Sequence, residues 1–208
     1  MCATETHVDE RELLGEERAL VAGALPARRS EFATGRWCAR VALGQVAGAR
    51  DLPLLHDEHG APLWPPGFVG SITHTAGWTA AVAGRRGWRA GIRSIGLDAE
   101  AAAALPPGVL EVVASRPEQR EIERLGSAEP GTPWDTVLFT AKEATYKAWY
   151  PLTAVVLSHD DIDVRLSRDG RFSAAVRLST GRAARGAHRV RGRWTVGPGV
   201  VVSLGVVD

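Results

Sequence analysis

The sequence predicts an α+β protein of two similar halves, each running helix first and antiparallel strands after. Three observations predict it. Helical periodicity opens each half, two-residue alternation closes it, and "AAAALPPG", Ala101–Gly108, breaks the pattern near the midpoint. The division is expected at 104/105, giving halves of residues 1–104 and 105–208.

The elements follow in order. Residues 9–24 read as one helix, and after Pro26 a second runs from Arg28 to about Val46, with Phe32, Cys38, Val41 and Ala42 roughly in helical phase. Residues 48–70 are loop-like, because "LPLL", "HDEHGAP" and "WPPG" supply turn residues. The apolar-polar stretch "GSITHTAGWTAAVAG" follows, and "WTAAVAG" and "IRSIGLDAE" suit two strands joined by the basic loop "RRGWRAG". The second half restarts with two helical patterns, "VLEVVASRPEQREIERL" and "WDTVLFTAKEATYKAW". "DIDVRLSRDGRFSAAVRL" then alternates about an "RDG" turn, and "RVRGRWTVGPGVVVSLGVV" reads as two further strands. The order of elements repeats; the residues themselves do not.

Composition narrows the function. A chain of 208 residues that is 45% hydrophobic can bury a core. Its 25 basic and 24 acidic residues leave a formal charge of +1, so no global field recruits nucleic acid or an anionic membrane. The first thirty residues carry Glu5, Asp9, Glu10, Glu12, Glu16 and Glu17, which argues against a signal peptide, and no segment is long and apolar enough to span a bilayer. Cys2 and Cys38 make no disulfide framework, which points to the reducing cytoplasm.

Three constellations could carry chemistry. In "IGLDAE", Asp98 and Glu100 share one strand face at roughly 7 Å of backbone rise, where two carboxylates can converge on a hard cation such as Mg2+ or simply end a solvated strand. In "FTAKEATYKAW", Glu143 and Lys147 stand four apart, the favoured order for a surface ion pair worth about 0.2–0.5 kcal/mol. Lysine usage points further: Lys142 and Lys147 are the only lysines in a chain that otherwise writes Arg, as if a compact ammonium were needed on a phosphate. At about 100° per residue, however, Lys142 points roughly 140° away from Lys147, so Lys147 is the site lysine and Lys142 flanks the site or supports the helix. In "GSITHTAG", Ser71, Thr73, His74 and Thr75 beside glycines have the composition of a phosphate cradle. Arg28, Arg29, Arg36 and Arg40 form either an anion patch or a solvated helix face, and Arg85, Arg86, Arg89 and Arg93 a solvated loop. "HDEH", His56–His59, lacks the helix that makes such spacing a zinc site.

The order "RRSEFATGRWCARVAL", "GAPLWPPGFVGSITHT", "IGLDAE", "FTAKEATYKAW" resembles the 4'-phosphopantetheinyl transferases of the surfactin-synthetase-activating and enterobactin-synthase-component-D type. The resemblance covers Arg28 to about Leu157. It implies two pseudo-symmetric α+β halves that bind coenzyme A and Mg2+ in the cleft between them, acting as a monomer. Such an enzyme moves the phosphopantetheine arm onto a serine of an apo acyl or peptidyl carrier protein and releases adenosine 3',5'-bisphosphate. Position by position, the resemblance implies that Asp98, Glu100 and Glu143, with the intervening Ala99, form the metal site. It places Lys147 against the diphosphate, Lys142 among the residues that bind coenzyme A, and Arg28 and Arg36 with the nucleotide end. Thr73 and His74 match a serine-histidine pair on the phosphates, and Leu157 falls where relatives line the pantetheine arm. The segment His56, Asp57, Glu58 and His59 lies where the family often has a nucleotide-binding lysine; here His56 stands in its place. Glu143, Lys147 and His74 are the catalytic candidates, with Glu143 either base or metal ligand. The rivals are an Mg2+-dependent phosphoester hydrolase and a non-enzymatic module binding coenzyme A or carrier.

Overall fold

Backbone pairing sorts eight strands among the described residues into two sheets, and that sorting decides which side chains become neighbours. The computed structural model describes residues 1–48, 52–75, 77–87, 91–177 and 189–208. Two compact units result, Met1–Ile95 and Gly96–Asp208.

In the first unit, β1 (Cys2–Thr4), β3 (Trp78–Arg85) and β2 (Phe68–Thr75) make a sheet in that spatial order. The β2–β3 hairpin pairs Phe68 with Arg85 through to Thr75 with Trp78. Strand β1, which the sequence reading does not foresee, sets Cys2 opposite Ala81 and brings its Sγ to 3.5 Å from that of Cys38; both thiols are free. Helices α1 (Gly15–Leu20) and α2 (Pro26–Ala47) complete the unit. Helix α2 begins at Pro26, where the missing N–H costs nothing, and stops at Gly48 in the left-handed conformation, φ 78°.

The helix expected over residues 9–24 is instead a single 3-10 turn, Glu10–Glu12, followed by the short α1. A buried carboxylate explains the break. Glu17 accepts from the backbone N–H of Leu14 at 3.0 Å and of Leu54 at 2.9 Å, and from Arg40 Nη1 at 2.6 Å. Satisfying that group draws the chain inward at Leu13 and Leu14, where the backbone is extended.

The second unit holds β4 (Ser94–Ala101), α3 (Val109–Val113), α4 (Arg116–Ala128), α5 (Trp134–Thr153), β5 (Ile162–Leu166), β6 (Arg171–Val176), β7 (Arg189–Gly197) and β8 (Val200–Val207), with the first two residues of β4 preceding its boundary. Its sheet runs β4-β8-β7-β6-β5. Both expected hairpins form, Ile162 opposite Val176 and Gly197 opposite Val200. Strand β4 joins β8, and is not the hairpin partner of β3 that a simple reading of the basic loop suggests. The units therefore divide at Ile95/Gly96 and not at 104/105, which puts Asp98 and Glu100 in the same unit as α5. Of the basic loop, Arg85, Arg86 and Arg93 are exposed, and Arg89 lies outside the described residues.

One helix was expected from Val109 through Leu125, and two form. Ser115 caps α4: its backbone N–H and hydroxyl donate to Glu118 Oε2 at 2.8 and 2.9 Å. Helix α5 is seated on the sheet at one glycine, Gly96. A Cβ at Gly96 would stand 1.9 Å from the Ala144 carbonyl oxygen and 2.6 Å from the Ala148 nitrogen, and one at Gly205 would lie 3.5 Å from that same oxygen. Ala144 and Ala148 are fully buried at this contact. Among the described residues no helix is long and apolar enough to cross a membrane.

Candidate active site

The notch at Gly96 fixes the geometry of the second unit's site. Because side chains alternate along a strand, Asp98 and Glu100 project from the same face of β4 as Gly96, the face against α5. Asp98, 4% exposed, meets Lys147: Nζ donates to Oδ1 at 2.6 Å. Lys147 keeps a side-chain exposure of 30%. The expected Glu143–Lys147 surface pair is not the one formed. Glu143 Oε1 instead lies 3.1 Å from His159 Nε2, and both groups are half-buried.

Lys142 turns the other way, as the helical angle requires. Its side chain is 1% exposed, its ammonium lies 2.9 Å from Glu118 Oε2, and it donates to the His159 carbonyl at 3.0 Å. Glu118 also accepts from the Val164 N–H at 2.8 Å. Lys142 thus ties α4, α5 and the His159 turn together, and the structure encloses it where the resemblance placed it on coenzyme A. Leu157 is half-buried and packs against the core of the second unit. Ala99 is fully buried.

In the first unit, α2 and β2 bring Arg28 to His74, with Nη1 3.3 Å from Nε2. A guanidinium only donates, so His74 Nε2 accepts. Arg28 also lies 3.3 Å from Glu31 and remains half-exposed. Arg36 is 5% exposed, donates from Nε to the Leu54 carbonyl at 2.5 Å and stacks 4.2 Å above the Phe32 ring. Burial above all lowers its pKa to about 10; Arg28 and Arg40 push the same way and Glu17 opposes them. It stays protonated at neutral pH, a cation whose desolvation its neighbours do not fully offset. Thr73 is buried on β2 at 2% exposure.

The four arginines of α2 divide accordingly. Arg40 belongs to the buried pair with Glu17, and Arg29 pairs with Glu10 at 2.8 Å, which leaves Arg28 and Arg36 as the candidates. The His56–His59 segment is a turn. Asp57 Oδ1 accepts from the His59 and Ala61 N–H groups, each at 2.9 Å, and His56 Nδ1 lies 2.7 Å from the Asp57 carbonyl oxygen. His56 meets the Phe32 ring edge-on, which sets it near Arg36, whereas Glu58 is largely exposed.

Among the described residues no three His, Cys, Asp or Glu side chains are gathered to hold a metal ion, the expected trio of Asp98, Glu100 and Glu143 included. Sequence reasoning missed Glu118, His159 and Glu17. The Ser115-x-x-Glu118 spacing is a capping-box signal that could have found the first. Nothing local marks His159, sixteen positions beyond Glu143.

By class, then, this is an α+β protein of two units, with an arginine-histidine pair in one and a strand carboxylate paired with a helix lysine in the other. Residues 16–84 match the family model of the 4'-phosphopantetheinyl transferase N-terminal domain, and residues 94–196 match that of the 4'-phosphopantetheinyl transferase superfamily. The chain is 42% identical over 197 residues to the 4'-phosphopantetheinyl transferase PptT of Mycobacterium tuberculosis, covering 91% of this chain and 84% of that protein. It is 43% identical over 195 residues to the 4'-phosphopantetheinyl transferase Svp of Streptomyces mobaraensis, covering 92% and 77%. Similarity to the enterobactin synthase component D of Salmonella typhi is 34% over 122 residues, 59% of this chain and 48% of that one. The chain belongs to the 4'-phosphopantetheinyl transferase superfamily.

Proposed function

We infer that this protein transfers the 4'-phosphopantetheine arm of coenzyme A to a serine of an acyl or peptidyl carrier protein. Identity of 42–43% over nine-tenths of the chain to transferases of that name carries the reading. Within the molecule, the Lys147–Asp98 pair supports it, because phosphoryl transfer needs fixed charge more than covalent help.

The assignments follow unit by unit. Arg28, Arg36, Thr73 and His74, with the His56–His59 turn, take the nucleotide end and its phosphates; the under-compensated charge of Arg36 favours an anion beside it. Asp98 and Glu100, with the Ala99 carbonyl, would hold Mg2+, and Glu143 would either join them or serve as the base. The donor chemistry fits, since these are hard oxygen ligands and Mg2+ needs only one or two carboxylates from a protein. Bound there, the ion supplies charge neutralisation to the diphosphate.

The carrier serine Oγ attacks the β-phosphorus, and the bond from that phosphorus to the bridging oxygen breaks. Adenosine 3',5'-bisphosphate departs with the electron pair, beside the Lys147 ammonium. Glu143 either accepts the serine proton or ligates the ion. The enzyme works as a monomer in the cytoplasm, a placement that its two free thiols favour.

Intact-mass analysis of a panel of apo-carriers with coenzyme A and Mg2+ tests the reading. A gain of about 340 Da that is lost in EDTA and restored by Mg2+ is the expected result. No gain on any carrier overturns the function, and an undiminished gain in EDTA overturns the metal assignment. Bisphosphate released without carrier would make the protein a hydrolase.

A further inference from the structure

Three residues of α5 converge on one residue outside it. Glu143 Oε1 lies 3.1 Å from His159 Nε2. Phe139, one turn earlier on the helix, stacks on the imidazole with ring centroids 5.8 Å apart and planes at 29°. Lys142, anchored by Glu118, donates to the His159 carbonyl at 3.0 Å. The His159 turn is itself pinned, because Asp161 Oδ2 accepts from the Ser158 N–H at 2.9 Å and the Ser158 hydroxyl at 2.8 Å. The imidazole therefore has its face, its main chain and its turn all held, while its Nε2 edge is directed at the acid of the proposed site.

We propose that His159 is a positioning residue for Glu143, fixing one carboxylate oxygen through Nε2–H and leaving the other for the carrier serine or the metal. An ionised carboxylate only accepts, so the ring nitrogen facing it carries the proton. A glutamate side chain has three rotatable bonds, and a half-buried donor held from three directions removes most of that freedom before substrate arrives. The value of such restraint is large, since displacing a reacting group by about 1 Å can cost roughly 100-fold in rate. The proposal rests on Glu143 being a site residue of the transferase.

His159→Phe and His159→Gln separate positioning from mere packing. Phenylalanine keeps a ring for Phe139 and a carbonyl for Lys142 but removes the donor; glutamine restores an N–H that can reach the carboxylate. Phe is expected to lower kcat for carrier modification about 10- to 100-fold with KM for coenzyme A within about twofold of the parent, and Gln to recover most of the loss. Undiminished kcat in the Phe variant, or a Gln variant no better than Phe, overturns the proposal.

A readout independent of turnover is the imidazole nitrogen NMR spectrum. The Nε2–H tautomer is expected for His159, with a shift of that resonance in Glu143→Gln; an Nδ1–H tautomer in the parent overturns the proposal. Should the parent protein modify no carrier at all, the transferase reading fails while the spectrum still decides the positioning.

Discussion

Replacing Lys142 by Met removes a buried ammonium from a carboxylate that stays behind. The two groups are 2.9 Å apart with side-chain exposures of 1% and 6%, so neither charge has water to fall back on. Stranding one partner of such a pair costs about 3–5 kcal/mol. Glu118 keeps three other donors, the Ser115 N–H, the Ser115 hydroxyl and the Val164 N–H, which places the loss near the lower end, about 3 kcal/mol. For a chain of this length each kcal/mol shifts Tm by about 2–4 °C, so a fall of roughly 6–12 °C is expected. Adding Glu118→Gln removes the stranded charge while keeping a side chain that can serve the capping box, and should recover at least half of the loss. Urea denaturation followed by tryptophan fluorescence, with thermal melts alongside, measures all three proteins. A loss below about 1 kcal/mol in the single variant, or none recovered in the double, would refute the account of Lys142 as a buried structural cation.

The other predictions concern the Gly96 notch and the lysine beside it. Lys147→Ala should lower kcat about 100- to 1000-fold in the carrier mass assay with a much smaller change in Tm, and Lys147→Arg should be far from neutral, because a planar fork does not reproduce one ammonium on Asp98 Oδ1. A Lys142→Arg variant that, per folded molecule, loses more activity than Lys147→Arg would reverse the assignment. Gly96→Ala pushes a methyl into the Ala144 carbonyl, which cannot yield without moving α5; a loss of about 1–3 kcal/mol is expected, together with reduced transfer as Lys147 leaves Asp98. Parental stability in that variant would mean that α5 does not sit as closely on β4 as described.

Much of the fold is legible locally. Both C-terminal hairpins, the long α2 and the α5 segment follow from alternation, helical phase and turn residues, each a short-range signal. The failures share a cause. Nothing within residues 9–24 states that Glu17 will be drawn onto Arg40 and the Leu54 N–H, so the helix break there is invisible until those partners arrive. The destination of β4 is likewise undecided by its own residues, since an alternating strand suits either neighbour. The capping box at Ser115 is the exception, a local signal carried by Ser115 and Glu118.

The two lysines show where the boundary lies. The sequence alone determined that they point roughly 140° apart, that Lys147 is the one beside Glu143, and that Asp98 and Glu100 share a strand face, because helix and strand periodicities fix the direction of every side chain. Tertiary structure decided what each direction meets: Asp98 for Lys147, Glu118 for Lys142, His159 for Glu143. Direction is a property of consecutive residues. Partnership depends on which distant backbone comes alongside, and here a glycine without a side chain, at position 96, lets α5 close on β4 and set an ammonium against a carboxylate.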